Sequence, residues 1–120
     1  MSSRRRIRVA VIGGLTRATD LWTNAGRALG VELEHHDGRS QGRRADDIAS
    51  LIRRADLVVI ITDPNSHNGV TIARRAALAA QKPHRLVKHL RPAGLAELVN
   101  DMLTALPALG DERAPMRAAV

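Results

Sequence analysis

The sequence predicts a single α/β domain, a four-stranded parallel sheet wound on both faces by helices. Three observations carry that expectation. Short β-branched apolar runs alternate with stretches of helical period four times along the chain. The connections between these segments are short, as in βαβ units. One run, "DLVVIIT" at residues 56–62, is apolar without a break, which suits a central parallel strand covered on both faces.

Taken in order, "IRVAVIGG" at residues 7–14 reads as a buried strand closed by a glycine pair. From Thr16 to Leu29 the period changes, and Ala18, Leu21, Trp22, Ala25, Ala28 and Leu29 share one helical face. Gly30 stands where a glycine in left-handed conformation ends a helix. "VELEH" is the second strand, and residues 44–55 form a helix with Ile48, Leu51, Ile52 and Ala55 on its stripe. The strand at residues 56–62 and the "DPNSHNG" loop lead to an alanine-rich helix at about residues 70–81. "HRLVKH" is the fourth strand. Pro92 suits the start of a last helix, whose stripe is Leu95, Leu98, Val99, Met102, Leu103 and Leu106, and Pro107 is expected to end it. Right-handed crossovers then predict the strand order 2-1-3-4, a doubly wound Rossmann-like or flavodoxin-like sheet. The first and fourth helices cover one face, the second and third the other. Residues 1–6 read as a basic tail, 7–106 as the domain and 107–120 as a flexible tail.

A chain of 120 residues is one domain. Its apolar mass is aliphatic, and Trp22 is the sole residue of the Phe, Trp and Tyr set. The lack of cysteine excludes disulfides, zinc ribbons, iron–sulfur ligation and thiol nucleophiles. No segment resembles a signal peptide or a membrane span, so the expected compartment is the cytoplasm. The net charge of +7 is partly local to Arg4, Arg5 and Arg6; other arginines cluster at Arg39, Arg43 and Arg44, at Arg53 and Arg54, and at Arg74 and Arg75. Such an excess favours anionic partners. Without aromatic platforms, a nucleic-acid role would rest on backbone contacts alone.

In sheets of this kind ligands bind outside the carboxyl ends of the strands, above all where the strand order reverses. The reversal here lies between strands one and three. Strand one ends in Gly13-Gly14, strand two in His35-His36-Asp37-Gly38, strand three in Thr62-Asp63 before Asn65, Ser66 and His67, and strand four in His89-Leu90-Arg91. All four therefore deliver polar residues to one edge. The glycine pair is not a dinucleotide fingerprint; it is either a tight turn or a place where backbone N–H groups approach an anion. His35 and His36, as neighbours in a strand, point to opposite faces. His36, nearer the turn, is expected in the crevice, with His35 under a helix or in solvent. Asp37-Gly38 also reads as turn chemistry. Ser66 beside His67 lacks an orienting acid, which argues against a serine hydrolase, and Asn65 or Ser66 fits a loop bond or a helix N-cap equally well. Arg91 either reaches an anion or is an ordinary surface arginine. His36, Asp37, Asp63 and His67 could supply a metal site, although no pair has the i, i+4 spacing of a helical metal motif.

The stretches "GG", "ALGVELEHHDG", "ADLVV", "TDPNSHNG" and "QKP", with the arginine opening the last segment, resemble the bacterial family called domain of unknown function 2325. That family carries a GG turn, an H-H-D-G block, an S-H pair after the third strand, "KP" before the fourth and an R-S-S-like run after it. The resemblance implicates Gly13, Gly14, His35, His36, Asp37, Gly38, Ser66, His67 and Arg91 as site residues, and implies no particular reaction. Two departures stand out. The family often has a lysine in the helix after S-H, where this chain has Arg74 or Arg75. Its R-S-S run is Arg91-Pro92-Ala93 here, without the two hydroxyls. A more local stretch, "VVIITDPNSHNGVTIARR", is similar to the D-P-D-x-x-G segment of toprim domains. Gly13-Gly14 and Asn65 stand where toprim chemistry needs a glutamate and a second aspartate, which argues against a magnesium nuclease.

The expected function is a sensory or regulatory module that binds a small polar or anionic ligand through Gly13, Gly14, His36, Asp37, Ser66, His67 and Arg91. Phosphate-like groups, a nucleotide fragment and a small neutral species such as dioxygen all fit the sequence, which leaves the cofactor unknown. The first alternative is a divalent-metal-dependent hydrolase or phosphoryl-transfer enzyme, the second a nucleic-acid-associated protein. A homodimer is expected, since a four-stranded sheet has two edges to protect. Ala73, Ala76, Ala77 and Ala80 form a smooth face that suits either a second subunit or the sheet itself.

Overall fold

The computed structural model describes residues 6–14, 19–38, 44–63, 65 and 67–110. Strands β1 (Arg8–Ile12), β2 (Glu32–His36), β3 (Leu57–Ile61) and β4 (His84–Val87) alternate with helices α1 (Thr19–Leu29), α2 (Arg44–Arg54), α3 (His67–Ala79) and α4 (Leu95–Gly110). Every strand pair is parallel and the order is β2-β1-β3-β4, as the alternating pattern predicts. β3 is buried at all of its positions. Its unbroken aliphatic run is the consequence of lying inside the sheet with helices on both sides.

The two faces divide the helices as expected. Val9, Val11, Val59 and Ile61 pack with Trp22 of α1 and with Leu95, Val99 and Met102 of α4. Ala10, Ile12, Val58 and Ile60 pack with Ile48, Leu51 and Ile52 of α2 and with Ala73 and Ala77 of α3. Each large side chain so enclosed contributes roughly 1.5–3 kcal/mol of burial free energy, which makes the sheet faces the main source of stability.

Several details depart from the expected pattern. α1 buries Trp22 and Gly26, whereas Leu21 is 59% exposed. The indole is large enough to dominate the contact, and Gly26 lets the helix approach β2, since a Cβ there would stand 2.6 Å from that of Leu33. Ala18 and Thr16 lie outside the described residues. Gly30 ends α1 with φ 80°, and Val31 N–H reaches back to Gly26 O at 3.0 Å, the closure expected of a terminal glycine. α3 starts three residues earlier than its apolar period suggests, so His67 is helical. It ends on Gln81 at φ 57°, with Lys82 N–H bonded to Ala77 O, so Gln takes the place usually held by glycine. Ala73 and Ala77 are fully buried and Ala76 packs beside them, so the smooth alanine face abuts the sheet. β4 is shorter than "HRLVKH", because Lys88 and His89 leave the strand. A 3₁₀ turn at Pro92–Gly94 precedes α4. α4 then runs through Pro107 to Gly110 instead of ending at that proline. A proline removes one intrahelical bond, and the preceding turns are anchored by Leu95, Val99 and Met102. The side chain of Leu106 and the rest of the expected tail, residues 111–120, lie outside the described residues. No described helix is long and apolar enough to cross a membrane.

Candidate functional site

The carboxyl ends of the strands are level: Ile12 is registered with His36 and with Ile60, and Ile61 with Val87. At the reversal between β1 and β3 sits Asn65. Its Nδ2 donates to Ile61 O at 2.7 Å and, at the limit of a hydrogen bond, to Ile12 O at 3.5 Å. Two carbonyl acceptors decide the amide's orientation, because its oxygen cannot face them. Oδ1 therefore points the other way, towards Gly38, and is buried without a hydrogen-bond partner among the described residues. A Cβ on Gly38 would overlap that oxygen, and one on Gly13 would overlap Ile61 O and stand 2.7 Å from Asn65 Nδ2. Both glycines also have left-handed backbones, Gly13 at φ 110° and Gly38 at φ 90°. One amide and two glycines thus lock the ends of three strands together. Asn65 makes the loop bond, one of the two roles its sequence position allows.

The paired histidines divide as neighbours in a strand must. His35 is registered with Val11, whose side chain lies on the α1–α4 face; His36 is registered with Ile12, on the α2–α3 face. His35 Nε2 donates to Gly13 O at 2.6 Å, and the Thr19 hydroxyl donates to its Nδ1 at 2.8 Å. The carbonyl fixes this tautomer, since it can only accept. The ring also stacks on Trp22, centroids 6.1 Å apart and planes 28° from parallel. Burial lowers its pKa from 6.5; the bond to Gly13 and the charge of Asp37 oppose the shift without cancelling it. His35 is therefore neutral at pH 7 and buttresses the glycine turn from below.

His36 accepts Gly38 N–H at Nδ1, 2.9 Å away, and its own carbonyl accepts Gly13 N–H at 2.7 Å. The same nitrogen lies 3.8 Å from Asp37 Oδ1, and both side chains are nine-tenths or nearly so covered, at 13% and 11% exposure. Gly14, at φ 88°, is the one residue of this turn whose N–H makes no hydrogen bond among the described residues.

The other wing is open. His67, the first residue of α3, is exposed, and so is Arg91, which precedes the 3₁₀ turn and accepts Gly94 N–H on its carbonyl at 2.8 Å. Neither side chain makes a hydrogen bond or ion pair among the described residues. His89 Nδ1 donates to Asp63 O at 3.3 Å, and its Nε2 lies 3.8 Å from Asp63 Oδ2. Ser66 lies outside the described residues. The sequence-proposed site thus splits: Gly13, Gly14, His36 and Asp37 are brought together, while His67 and Arg91 share their edge without touching them. No three His, Asp or Glu side chains converge on a common point among the described residues, so the candidate ligands His36, Asp37, Asp63 and His67 do not form a metal-binding group there.

A concavity of about 240 Å³ lies at the opposite end of the sheet, lined by Arg8, Glu32, Glu34, Leu51 and Arg54. Its cations are already paired, Arg8 with Glu32 at 3.4 Å and Arg54 with Glu34 at 3.1 Å. It offers no unneutralised charge to an ionic ligand.

No curated protein and no solved structure matches the chain. One family does, described as "Uncharacterized protein conserved in bacteria (DUF2325)", over residues 8–102, a span that takes in all four strands and both wings of the carboxyl edge. The chain belongs to this bacterial family of unknown function.

Proposed function

We propose that the domain is a sensory or regulatory module that holds a small polar or anionic ligand above the reversal between β1 and β3. The observation that supports this reading is the N–H of Gly14 at the reversal, unbonded among the described residues, on the edge that also presents His67 and Arg91. A backbone N–H at a left-handed glycine is a donor of the kind that builds anion-binding concavities. Arg91 supplies charge and a planar fork suited to oxyanions. His36 and Asp37 line the β2 side, and the lock of Asn65 with Gly13 and Gly38 holds the floor rigid.

The test is a thermal-unfolding panel with inorganic phosphate, nucleotides and divalent metals, each with a chelator control, on the parent and on His67→Ala and Arg91→Ala. A ligand at one hundred times its Kd adds about 2.7 kcal/mol, a shift of several degrees for a domain this size. The expected result is stabilisation by an anionic compound that survives the chelator and is lost in Arg91→Ala. Stabilisation abolished by the chelator would replace this reading with metal binding. Equal stabilisation of the parent and both variants would move the site away from this edge.

A further inference from the structure

We propose that the α3–β4 side of the domain binds the phosphate backbone of duplex nucleic acid without regard to sequence, at a surface separate from the ligand crevice. Residues 64–96 contain no aspartate or glutamate, yet they hold Arg74, Arg75, Lys82, Arg85, Lys88 and Arg91. Six of the chain's net charge of +7 therefore reside in this stretch, and the rest of the sequence is nearly neutral. Five of the six cations are exposed and Lys82 is partly so. None of them makes an ion pair among the described residues, in contrast to Arg8 and Arg54 beside β2.

They gather on one edge of the sheet and on the helix before it. β4 is an edge strand, with β3 on one side and no strand on the other. Arg85 lies within it, Lys82 precedes the strand by two residues and Lys88 follows it directly. Arg74 and Arg75 stand on the helix that feeds the strand, and Arg91, beyond its end, belongs to the ligand edge. Lysine on an edge strand also discourages pairing with other chains, but that purpose asks for one or two charges and not for an acid-free stretch that includes a helix. A second copy meeting β4 would bring two such clusters of cations face to face. An acid-free surface of cations, three of them arginine once Arg91 is left to the crevice, matches a polymer that carries a phosphate at every unit. The lone aromatic, Trp22, is 1% exposed, so the surface has no ring for stacking bases or for seating among lipid headgroups. Contacts confined to phosphates favour a duplex and leave sequence unread.

Fluorescence anisotropy with two unrelated 20-base-pair DNA duplexes, titrated from 50 to 200 mM salt, tests the surface on the full-length chain. Each phosphate contact contributes about −0.9 to the slope of log Kobs against log salt, so three to five contacts give a slope of about −3 to −5, the same for both duplexes. Replacing Arg74, Arg75, Arg85 and Lys88 together with glutamine should lower affinity at 50 mM salt by at least about tenfold and flatten the slope by about 2–4. Should that variant unfold, Arg85→Gln and Arg74→Gln alone should each flatten it by about 1. A parallel variant, Arg4→Gln with Arg5→Gln and Arg6→Gln, should keep most of the binding. The proposal is overturned if neither duplex binds at 50 mM salt, if the tail variant loses binding while the surface variant keeps it, or if vesicles containing phosphatidylserine bind more tightly than either duplex. The Arg91 and His67 side chains are untouched in these variants, so failure here leaves the ligand crevice standing.

Discussion

The two edges of the sheet are built from similar residues and used in opposite ways. The β2 edge carries His35, His36 and arginines; the β4 edge carries His84, His89 and arginines. Beside β2 the polar groups are engaged: His35 bridges Thr19 and Gly13, His36 takes the Gly38 N–H, and Arg54 pairs with Glu34. Among the described residues, the cations beside β4 stand unpaired and His89 reaches Asp63 alone, on the surface. The difference teaches that residue type alone does not mark a functional histidine. An imidazole with both nitrogens bound to its own chain has become part of the scaffold, and one that faces solvent remains available to a partner. It follows that substitutions on the β2 side should act on stability, and those on the β4 side on binding.

The sharpest way to break this contrast is Gly38→Ala. The added Cβ would overlap Asn65 Oδ1, and a left-handed backbone disfavours any L side chain. A loss of roughly 2–4 kcal/mol in denaturant unfolding is expected, from overpacking and strain together. A loss within about 0.5 kcal/mol, the range of an ordinary surface change, would mean that the three strand ends are not locked. Asn65→Ala should cost less, about 1–3 kcal/mol, by stripping the donor from Ile61 O. Asn65→Asp sharpens the point. A carboxylate would turn a lone pair towards Ile61 O, so Asp should be worse than Ala, and an Asp variant as stable as the parent would show that the amide is oriented the other way.

Next comes the buried histidine. The folded state holds the pKa of His35 below its ordinary value of 6.5, so at mildly acid pH the unfolded chain takes up a proton that the folded chain refuses. Unfolding free energy should therefore be full above pH 6.5 and fall as pH drops through 6.5 towards the folded pKa. His35→Gln should lower stability at pH 7.5 and flatten this dependence between pH 7.5 and 5 relative to the parent. An unchanged pH profile in that variant would show that the proton is taken up elsewhere.

Much of this was open to inspection in the sequence, for physical reasons that differ by region. The central strand, the glycine ending α1, the stripe of Ile48, Leu51 and Ile52 and the strand order all follow from periodicity and crossover handedness, which act over neighbouring residues. Periodicity also misled at Leu21, because which flank of the stripe is covered depends on the bulk of Trp22 and the closeness allowed at Gly26. The convergence of four strand ends on one edge was legible from topology. The Asn65 lock was not, because it joins residues from three strand ends whose distances apart in sequence carry no period. A glycine at the turn after β2 and an asparagine after β3 are each unremarkable alone. Only the left-handed backbone of Gly38 against the amide oxygen shows that they belong together.

The smallest expected effect on stability comes from the open wing. His67→Ala, His89→Ala and Arg91→Ala remove side chains that are exposed, and of the three only His89 has a partner among the described residues, at the surface. Each should change unfolding free energy by no more than about 0.5 kcal/mol. The contrast then has to reappear in binding. In the phosphate and nucleotide panel Arg91→Ala and His67→Ala should reduce the ligand-induced shift, and His89→Ala, whose imidazole faces Asp63, should leave it in place. If His89→Ala abolished the shift while Arg91→Ala kept it, the ligand would be seated over β4 and not over the reversal. If His67→Ala instead cost as much stability as Asn65→Ala, the start of α3 would belong to the scaffold, and the division between a built edge and an open one would have to be drawn beyond it.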